Sequence, residues 1–347
     1  MTASISDVAA RAGVSVATVS RALRGLPNVA PSTRERVLRA AEALEYVADP
    51  NATRLATGQT RAIGMVVPLF TQWFFTQCVA GAEAVLTAAG YDVLLYNVSG
   101  ADSRERFLDD MPFRKRVDGI IVIDLPLADA ELERLGASGV PIVTVGLRTE
   151  RFPAVSIDNV GAAEEACRHL VELDHERIGL ISNLPDDPLQ FTAPLERRQG
   201  YQATLLAHGI PIYPELDVPG NFSMQGGAEA IEHLLDLDDP PTAVFAESDE
   251  MAIGALKALK DRGVAVPDEF SVVGFDDHDM AEYVGLTTVF QPVVAQGEVA
   301  ADLLLEQMHL DKEEQERTAP NVVMPTRLVV RSTTGRRTAI REAVGSA

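Results

Sequence analysis

From residue 61 onward, short apolar runs alternate with longer amphipathic segments, and this alternation restricts the possible folds more than any other feature. The apolar runs have the length of buried strands, and the segments between them have the length of helices. Alternating strands and helices predict parallel, doubly wound sheets covered by crossover helices. The predicted strands are 63–67, 93–96, 119–123, 142–145, 178–181, 243–246 and 272–275, and the predicted helices are 77–89, 161–173, 198–207, 225–235 and 250–262.

One local pattern occurs twice in this α/β region. The stretch RAIGMV at 61–66 matches ERIGLI at 176–181, and each is followed by a helix that ends at a glycine, Gly90 or Gly209. With 347 residues, the chain also exceeds the ~250–300 residues that one core usually accommodates. We therefore expect two similar α/β lobes with a ligand between them, at the carboxyl ends of the strands.

The first sixty residues lack this pattern and predict three short helices. Ser6 is expected to cap a helix over 7–12, and Ser15 a second helix over 16–24, with a tight turn at Gly13 between them. A capping box, Ser32 to Glu35, is expected to open a third helix that ends near residue 44. The apolar face predicted for this third helix consists of Val37, Leu38, Ala41 and Leu44.

The first two helices have the composition of a helix-turn-helix. Small residues allow the helices to cross closely, and Val8, Ala9, Val14 and Val19 can form a small core. The second helix would then direct its remaining side chains outward into a major groove. A helical hairpin with no role in DNA binding is the alternative.

Charge is distributed unevenly along the chain. The formal net charge is −21, which argues against nucleic acid as a partner of the chain as a whole. Residues 1–60, however, contain seven arginines against five acidic residues, whereas the remainder contains 23 basic and 46 acidic residues. A small cationic module joined to a large acidic one favours an appended nucleic-acid reader.

At the N-terminus, ISDVAARAGVSVATVSRAL (5–23) is similar to the signature of the LacI/GalR family of bacterial repressors. Segments 33–37, 44–46, 117–121, 271–277 and 286–292 resemble further blocks of that family. The resemblance covers essentially the whole chain. It implies an all-α helix-turn-helix headpiece (1–47), a hinge helix or linker (48–60), and a periplasmic-binding-protein-like core (61–347) that dimerises and binds a small molecule. Lobe 1 is expected at about 61–157 and 288–322, and lobe 2 at about 158–287 and 323–335.

The resemblance also assigns DNA contacts in the headpiece. It places Val16, Ala17 and Arg21 at base-reading positions of the second helix. An arginine can hydrogen-bond the acceptors of a guanine, whereas Val16 and Ala17 can contact only thymine methyl groups. The positions expected to contact phosphates are Ser15, Thr18, Ser20, Asn28 and Thr33.

The expected hinge helix contains Ala52 and Leu55, which lie three residues apart and share one helical face. The resemblance implies that Leu55 wedges into the minor groove at a central base step and kinks the duplex. So short a helix is expected to fold only when two chains pair on DNA. Two residues depart from the family pattern, since Thr53 stands where an arginine is usual and Pro50 precedes the helix.

The ligand cleft is expected to combine aromatic rings, an arginine and polar acceptors, a set that suits a polyol. Two positions depart from the family: Ser248 replaces a common asparagine, and Gly146 stands where an aspartate is often found, with Arg148 nearby. A missing acid and an added base favour an acidic sugar or another anionic ligand. The predicted ligand-binding residues are Phe74, Phe75, Arg148, Arg197, Phe222, Ser248, Asp276 and Gln291, while Asp249 and Asp277 are interpreted as structural.

Other chemistries find no support in the sequence. It contains no nucleotide-binding glycine loop, no HExxH and no GxSxG, so neither a cofactor nor catalysis is expected. The acidic run at 276–279 is interpreted as a strand end rather than a metal site. The polar residues within the uncharged stretch 62–82 argue against a membrane span. The two distant cysteines and the absence of a signal peptide favour the cytoplasm.

Together these observations predict a DNA-binding transcriptional regulator, a repressor, that acts as a homodimer on a pseudo-palindromic operator. A small-molecule effector, a sugar or sugar derivative, would control its affinity for double-stranded DNA. The alternative is a sugar-binding protein or an enzyme without a DNA role. The missing signal peptide argues against a transport protein, and the missing catalytic constellation argues against an enzyme.

Overall fold

The computed structural model describes residues 3–23, 25–46, 59–183, 191–310 and 320–337. Its contacts divide the chain into two compact units, residues 1–61 and 62–347. The described residues of the first unit form three helices and no strand, and the second unit contains two six-stranded sheets. The predicted fold class is confirmed.

In the first unit, α1 (Ile5–Ala12), α2 (Val16–Leu23) and α3 (Pro31–Glu42) enclose a small core. Gly13 ends α1 in the left-handed conformation that glycine adopts readily, with φ at 64°. The predicted cap Ser6 is wrong, because Ser4 caps α1 and forms a reciprocal capping box with Asp7.

The start and the buried face of α3 also differ from expectation. No side chain caps this helix, because its N-cap residue is Ala30, which has no side-chain acceptor, and Pro31 follows in the first turn. The predicted capping box of Ser32 and Glu35 is therefore wrong. Leu38 is 49% exposed and Ala40 is buried in its place, because positions 37, 40, 41 and 44 keep the helical spacing of a single face.

The second unit consists of two doubly wound lobes. Lobe 1 is built on the sheet β11-β5-β4-β3-β1-β2, in which all strand pairs are parallel. Lobe 2 is built on the sheet β12-β10-β9-β8-β6-β7, which is parallel except for the antiparallel edge strand β12. The strands are β1 (Ala62–Val67), β2 (Asp92–Asn97), β3 (Gly119–Ile123), β4 (Ile142–Val145), β5 (Ala154–Ile157), β6 (Ile178–Ser182), β7 (Asp217–Pro219), β8 (Ala243–Ala246), β9 (Ser271–Asp276), β10 (Thr287–Phe290), β11 (Asn321–Met324) and β12 (Arg327–Val329).

Helices cover both faces of each sheet, which buries the strands completely in the sheet centres. In lobe 1, α4 and α12 pack on one face and α5 and α6 on the other. In lobe 2, α7 and α8 pack on one face and α9 and α10 on the other. The helices of this unit are α4 (Trp73–Ala88), α5 (Ala101–Asp110), α6 (Asp129–Gly136), α7 (Asn159–Glu172), α8 (Thr192–Ala207), α9 (Met224–Leu235), α10 (Asp249–Asp261), α11 (Ala281–Val284) and α12 (Val293–Gln307).

The chain passes from lobe to lobe slightly later than the expected boundaries. Strand β10 stays in the lobe 2 sheet through Phe290, and β11 stays in the lobe 1 sheet through Met324. These short strands and β5, β7 and β12 were not among the predicted apolar runs, since three or four residues carry little periodic signal. Within the described part of the chain, no helix is long and apolar enough to cross a membrane.

Two glycines let α4 and α12 cross at backbone contact. A Cβ atom on Gly81 would lie 2.0 Å from the carbonyl oxygen of Val294, and one on Gly297 would lie 2.0 Å from that of Cys78. Backbone atoms on both sides leave no flexible group to move aside. The crossing fixes the helix whose first turn reaches the cleft described below.

We predict that Gly81→Ala lowers the free energy of unfolding by about 1–3 kcal/mol, because the added methyl group forces the helices apart. Urea unfolding followed by far-UV circular dichroism measures the change. Gly100→Ala is the control, since a Cβ at Gly100 meets nothing within 4 Å. Equal stability of the two variants would contradict the close crossing.

Candidate functional site

A cleft of about 630 Å³, its open mouth included, lies between the lobes of the second unit. The carboxyl ends of strands from both sheets contribute to it, as expected for open α/β sheets. Seven of the eight predicted ligand-binding residues line this cleft: Phe74, Phe75, Arg197, Phe222, Ser248, Asp276 and Gln291.

Four phenyl rings form the apolar wall. Phe74 and Phe75 meet edge to face with centroids 5.2 Å apart, and Phe191 connects Phe75 to Phe222 at 6.3 and 6.2 Å. The helix predicted from residue 77 begins earlier, at Trp73, so that Phe74 and Phe75 both lie in the first turn of α4. Rings from both lobes can therefore stack on one flat ligand.

Arg197 of α8 is buried at the base of the cleft and is held by several partners. Its Nε donates to Oδ1 of Asn159 at 3.0 Å, and its Nη1 donates to the backbone carbonyl of Glu247. The guanidinium lies 3.6 Å from the ring centroid of Phe275 and 4.0 Å from the carboxylate of Asp276. These contacts fix the direction of the guanidinium before any ligand binds.

Asp276 ends β9 and is the buried carboxylate of the cleft. Gln291 donates to its Oδ1 at 2.6 Å, and Gln296 in turn donates to Gln291 at 2.9 Å. Burial raises the pKa of Asp276 to about 6, although the charge of Arg197 opposes the shift. The backbone φ of Asp276 is 121°, a strained value for a non-glycine residue. The residue is thus held as an acceptor at the cleft floor.

Ser248 lines the cleft but is engaged by the protein itself. Its hydroxyl caps α10 and accepts from the backbone N–H of Met251 at 3.3 Å. The structural interpretation of Asp249 agrees with its geometry, since this buried carboxylate accepts from Thr288 at 2.6 Å and from the backbone of His278 at 2.7 Å.

Arg148 does not line the cleft, which contradicts its assignment as a ligand residue. It forms an ion pair with Glu196 at 3.0 Å, and the other oxygen of Glu196 accepts from Asn159 at 2.9 Å. Because Arg148 follows β4 in lobe 1 and Glu196 lies on α8 in lobe 2, the pair spans the two lobes. The positive charge of Arg148 is therefore neutralised by Glu196 outside the cleft.

The acid that Gly146 lacks is supplied by Asp124, which directly follows β3 and lines the cleft beside it. A Cβ on Gly146 would lie 2.6 Å from Oδ1 of Asp124, and the φ of Gly146 is 83°. Gly146 therefore leaves the space that the Asp124 carboxylate occupies. Asp124 therefore places an acid where the argument for an anionic ligand supposed one to be missing.

Glu250 is a second carboxylate that sequence reasoning missed. It lies in the first turn of α10, where an acid is usually interpreted as a capping charge. Burial raises its pKa to about 7, the charge of Asp276 adds to the shift, and the backbone N–H of Trp73 opposes it. The further cleft residues not predicted are Leu69, Gln72, Asp124, Ile157, Asn159, Phe191, Ala193, Glu250 and Gln296.

We predict that Glu250→Gln stabilises the protein more at high pH than at low pH. A raised folded pKa means that the folded state binds more protons, so wild-type stability falls as pH rises from about 4.5 to about 7. Because glutamine does not ionise, the variant does not lose stability in this way as the pH rises. Melting temperatures near pH 5 and near pH 8 measure the difference, with the exposed Glu282→Gln as control. An advantage independent of pH would contradict the assignment.

The second candidate site is the outer face of α2. Val19 and Ala22 are buried against the other two helices, whereas Ser15, Val16, Ala17 and Arg21 are exposed. Thr18 and Ser20 are half-buried. Ser15 caps the helix by accepting from the backbone N–H of Thr18 at 3.2 Å. The predicted base-reading side chains thus share one accessible surface.

The remaining predicted DNA contacts lie beside α2 or outside the described residues. Asn28 is exposed with a φ of 70°, and Thr33 is half-buried in the first turn of α3. Arg34 and Arg36 hold the turns in place by donating to the carbonyls of Leu26 and Ala12. Ala52 and Leu55, the predicted hinge contacts, lie outside the described residues.

The acidic run at 276–279 is occupied by internal contacts. Asp277 pairs with Arg331 at 2.6 Å, and Nδ1 of His278 accepts from the backbone of Met280 at 2.9 Å. Among the residues that the structure describes, no three histidine, cysteine or acidic side chains form a group that could hold a metal ion.

A helix-turn-helix with a free second helix, joined to a two-lobed receptor with a polar and aromatic cleft, defines a ligand-responsive DNA-binding regulator. Residues 4–49 match the family model of bacterial regulatory proteins of the lacI family, and residues 167–334 match that of the periplasmic binding protein-like domain.

Proteins similar to this chain over most of its length are regulators. The chain is 35% identical to catabolite control protein A of Priestia megaterium over 89% of this chain and 93% of that protein. The lac repressor dimer bound to operator and an anti-inducer superimposes with a TM-score of 0.83 at 27% identity, covering 96% of this chain and 100% of that one. The CelR–cellobiose complex gives 0.69 at 33% identity, covering 95% and 99%. The chain belongs to the LacI family of bacterial transcriptional regulators, which are not enzymes.

Proposed function

We propose that this regulator is a repressor that binds a pseudo-palindromic operator as a homodimer and is released or recruited by a sugar-like effector. The domain boundaries of this proposal are a reader at 1–47, a hinge at 48–60 and a receptor at 61–347. It acts in the cytoplasm, where its operator lies. The observation that carries the proposal is the exposed face of α2, with Arg21 and two small apolar residues free to meet base edges.

Base recognition follows from the chemistry of that face. Arg21 can donate two hydrogen bonds to a guanine, whereas Val16, 43% exposed, and Ala17 fit against thymine methyl groups. The proposed phosphate contacts, which fix the position of α2 on the duplex, are Ser15, Thr18, Ser20, Asn28 and Thr33. Seven arginines in the first sixty residues supply the only cationic surplus, so the acidic receptor is kept away from the DNA.

The proposed effector is a sugar or a sugar derivative. The phenyl rings of Phe74 and Phe222 can stack on a ring face, while Arg197 donates to hydroxyl oxygens and Asp276 accepts from hydroxyl groups. The complex of the similar regulator CelR with cellobiose supports this class of ligand. The carboxylates of Asp124, Glu250 and Asp276 in the cleft disfavour an anionic ligand, because like charges repel at short range.

Two copies of the chain are proposed to pair, because a palindromic operator presents two equivalent half-sites. Lobe 2 exposes several apolar side chains, among them Tyr283, which is 82% exposed, and Met280, which is 45% exposed. Side chains of this kind on a surface favour an interface with another protein. Effector binding would change the angle between lobes and so the spacing of the two hinges, typically a coupling of about 1–3 kcal/mol.

We predict that Arg21→Ala weakens binding to an operator, obtained by in vitro selection with the wild-type chain, by roughly ten- to a hundredfold. Arg39→Ala is the matched control: it removes the same charge from the exposed surface of α3, where Arg39 pairs with Glu35 at 3.3 Å. Gel-shift titration measures both affinities. Equal losses would show that charge alone, rather than base contact, explains the effect.

We predict that Leu55→Ala also loses operator affinity, because the apolar wedge proposed for the minor groove is removed. The variant should keep the melting temperature of the wild type, because a wedge that folds only on DNA contributes nothing to the stability of the free chain. Gel shift and thermal unfolding are measured on the same preparation. Operator affinity equal to that of the wild type would refute the hinge assignment.

A further inference from the structure

Two adjacent residues of lobe 1 reach across the cleft to three separate elements of lobe 2. The indole N–H of Trp73 donates to Oδ2 of Asp279 at 3.0 Å, and its ring lies 4.9 Å from the ring of His278 at an angle of 33°. The side chain of Gln72 donates to the backbone carbonyl of Phe222 at 3.2 Å. The backbone N–H of Trp73 stabilises the ionised form of Glu250.

These contacts replace the helix cap that the sequence would lead one to expect. Gln72 is the N-cap residue of α4, yet its side chain makes no capping hydrogen bond and is directed to lobe 2 instead. The first turn of α4 therefore gives up local stabilisation for contacts between lobes. Its position is nevertheless fixed, because Gly81 in the same helix packs against the backbone of α12.

The lobe 2 side of the contact is rigid. The backbone N–H of His278 donates to the buried carboxylate of Asp249 at 2.7 Å, and its ring accepts from Met280. Asp277 is held by Arg331 at 2.6 Å. The loop at 277–280 thus presents a preformed ring and carboxylate, to which a tryptophan can offer both a flat face and its single donor.

The same turn of α4 also belongs to the effector cleft. Gln72 and Phe74 line the cleft on either side of Trp73, and Glu250 lines it from lobe 2. An effector that displaces or draws in Phe74 must therefore act on the turn that carries Trp73. One described ion pair, Arg148 with Glu196, also joins the lobes and is half-exposed.

We propose that Trp73 is a positioning residue that latches lobe 1 to lobe 2, so that the effector cleft opens only when the indole leaves Asp279 and His278. This inference rests on the proposed function, since it assigns the cleft to the effector. The latch holds the lobes at one angle in the absence of effector and sets how readily the effector reaches Arg197 and Asp276.

The test uses the full-length protein without effector, because Trp73 is the single tryptophan of the chain. Quenching of its fluorescence by acrylamide measures how often the indole is free. The double variant His278→Ala/Asp279→Ala removes both lobe 2 partners, and Gln72→Ala removes the neighbouring contact without touching either. Asp239→Ala is the control, since this exposed carboxylate pairs only with Arg177 within lobe 2.

We expect the quenching constant to rise about twofold or more in the double variant, to rise less in Gln72→Ala and to stay at the wild-type value in Asp239→Ala. Small-angle X-ray scattering should show a larger radius of gyration for the double variant, which separates lobe opening from a local loosening of the loop. Unchanged quenching, or increased quenching at an unchanged radius, overturns the latch.

Gel shifts on the selected operator distinguish a failure of the latch from a failure of the proposed repressor function. A wild-type chain that shows the latch behaviour but binds no operator refutes the proposed function alone. A chain that binds its operator while Trp73 is freely quenched in the wild type refutes the latch alone.

Discussion

The buried guanidinium of Arg197 is the interaction on which the receptor depends. It reaches from α8 to Asn159 at the start of α7, to the carbonyl that follows β8, and to the ring and carboxylate at the end of β9. A cation in such a position is tolerable only when its donors and charge are matched, since an unpaired buried charge is strongly destabilising. The same contacts that pair the donors and the charge of Arg197 also fix the floor of the cleft.

Around this cation, the cleft gathers more acid than the cation can neutralise. Asp124 comes from lobe 1, and Glu250 and Asp276 come from lobe 2. Burial raises the pKa of Glu250 and of Asp276, and the charge of Asp276 adds to the shift of Glu250. Enclosing these acids is therefore costly, and the contacts of Trp73 and Gln72 across the mouth act against that cost. The angle between the lobes is thus a balance of opposed local forces, which a small ligand can shift because it needs to supply only a modest difference.

Predictions from the sequence succeeded where they rested on a long periodic pattern. They failed where a contact with another part of the chain determined the position of a side chain. The strands at 63–67 and 119–123 and the helix-turn-helix core at Val8 and Val19 follow from periodicity alone. Leu38 was misassigned because a three-helix bundle buries only the narrow stripe that faces both partners. Arg148 was misassigned because its partner, Glu196, lies far away in sequence. Ser248 lines the cleft as predicted, although its hydroxyl also caps α10. Asp124 follows a predicted strand just as Asp276 does, and the same rule could have found it.

By itself, the sequence determined the two-part organisation, the repeated α/β lobes and the helix-turn-helix core, because each depends on spacing within a short stretch of chain. The resemblance to the LacI family, rather than spacing, supplied the seven predicted residues that line the cleft. Only the tertiary structure decided which acid replaces the one missing at Gly146, where Arg148 is neutralised, and that Trp73 meets His278 and Asp279 some two hundred residues away. These outcomes depend on which strand ends and helix termini meet across the cleft. Periodicity carries no information about such distances, because it records the face of an element and not the neighbour that the face will meet.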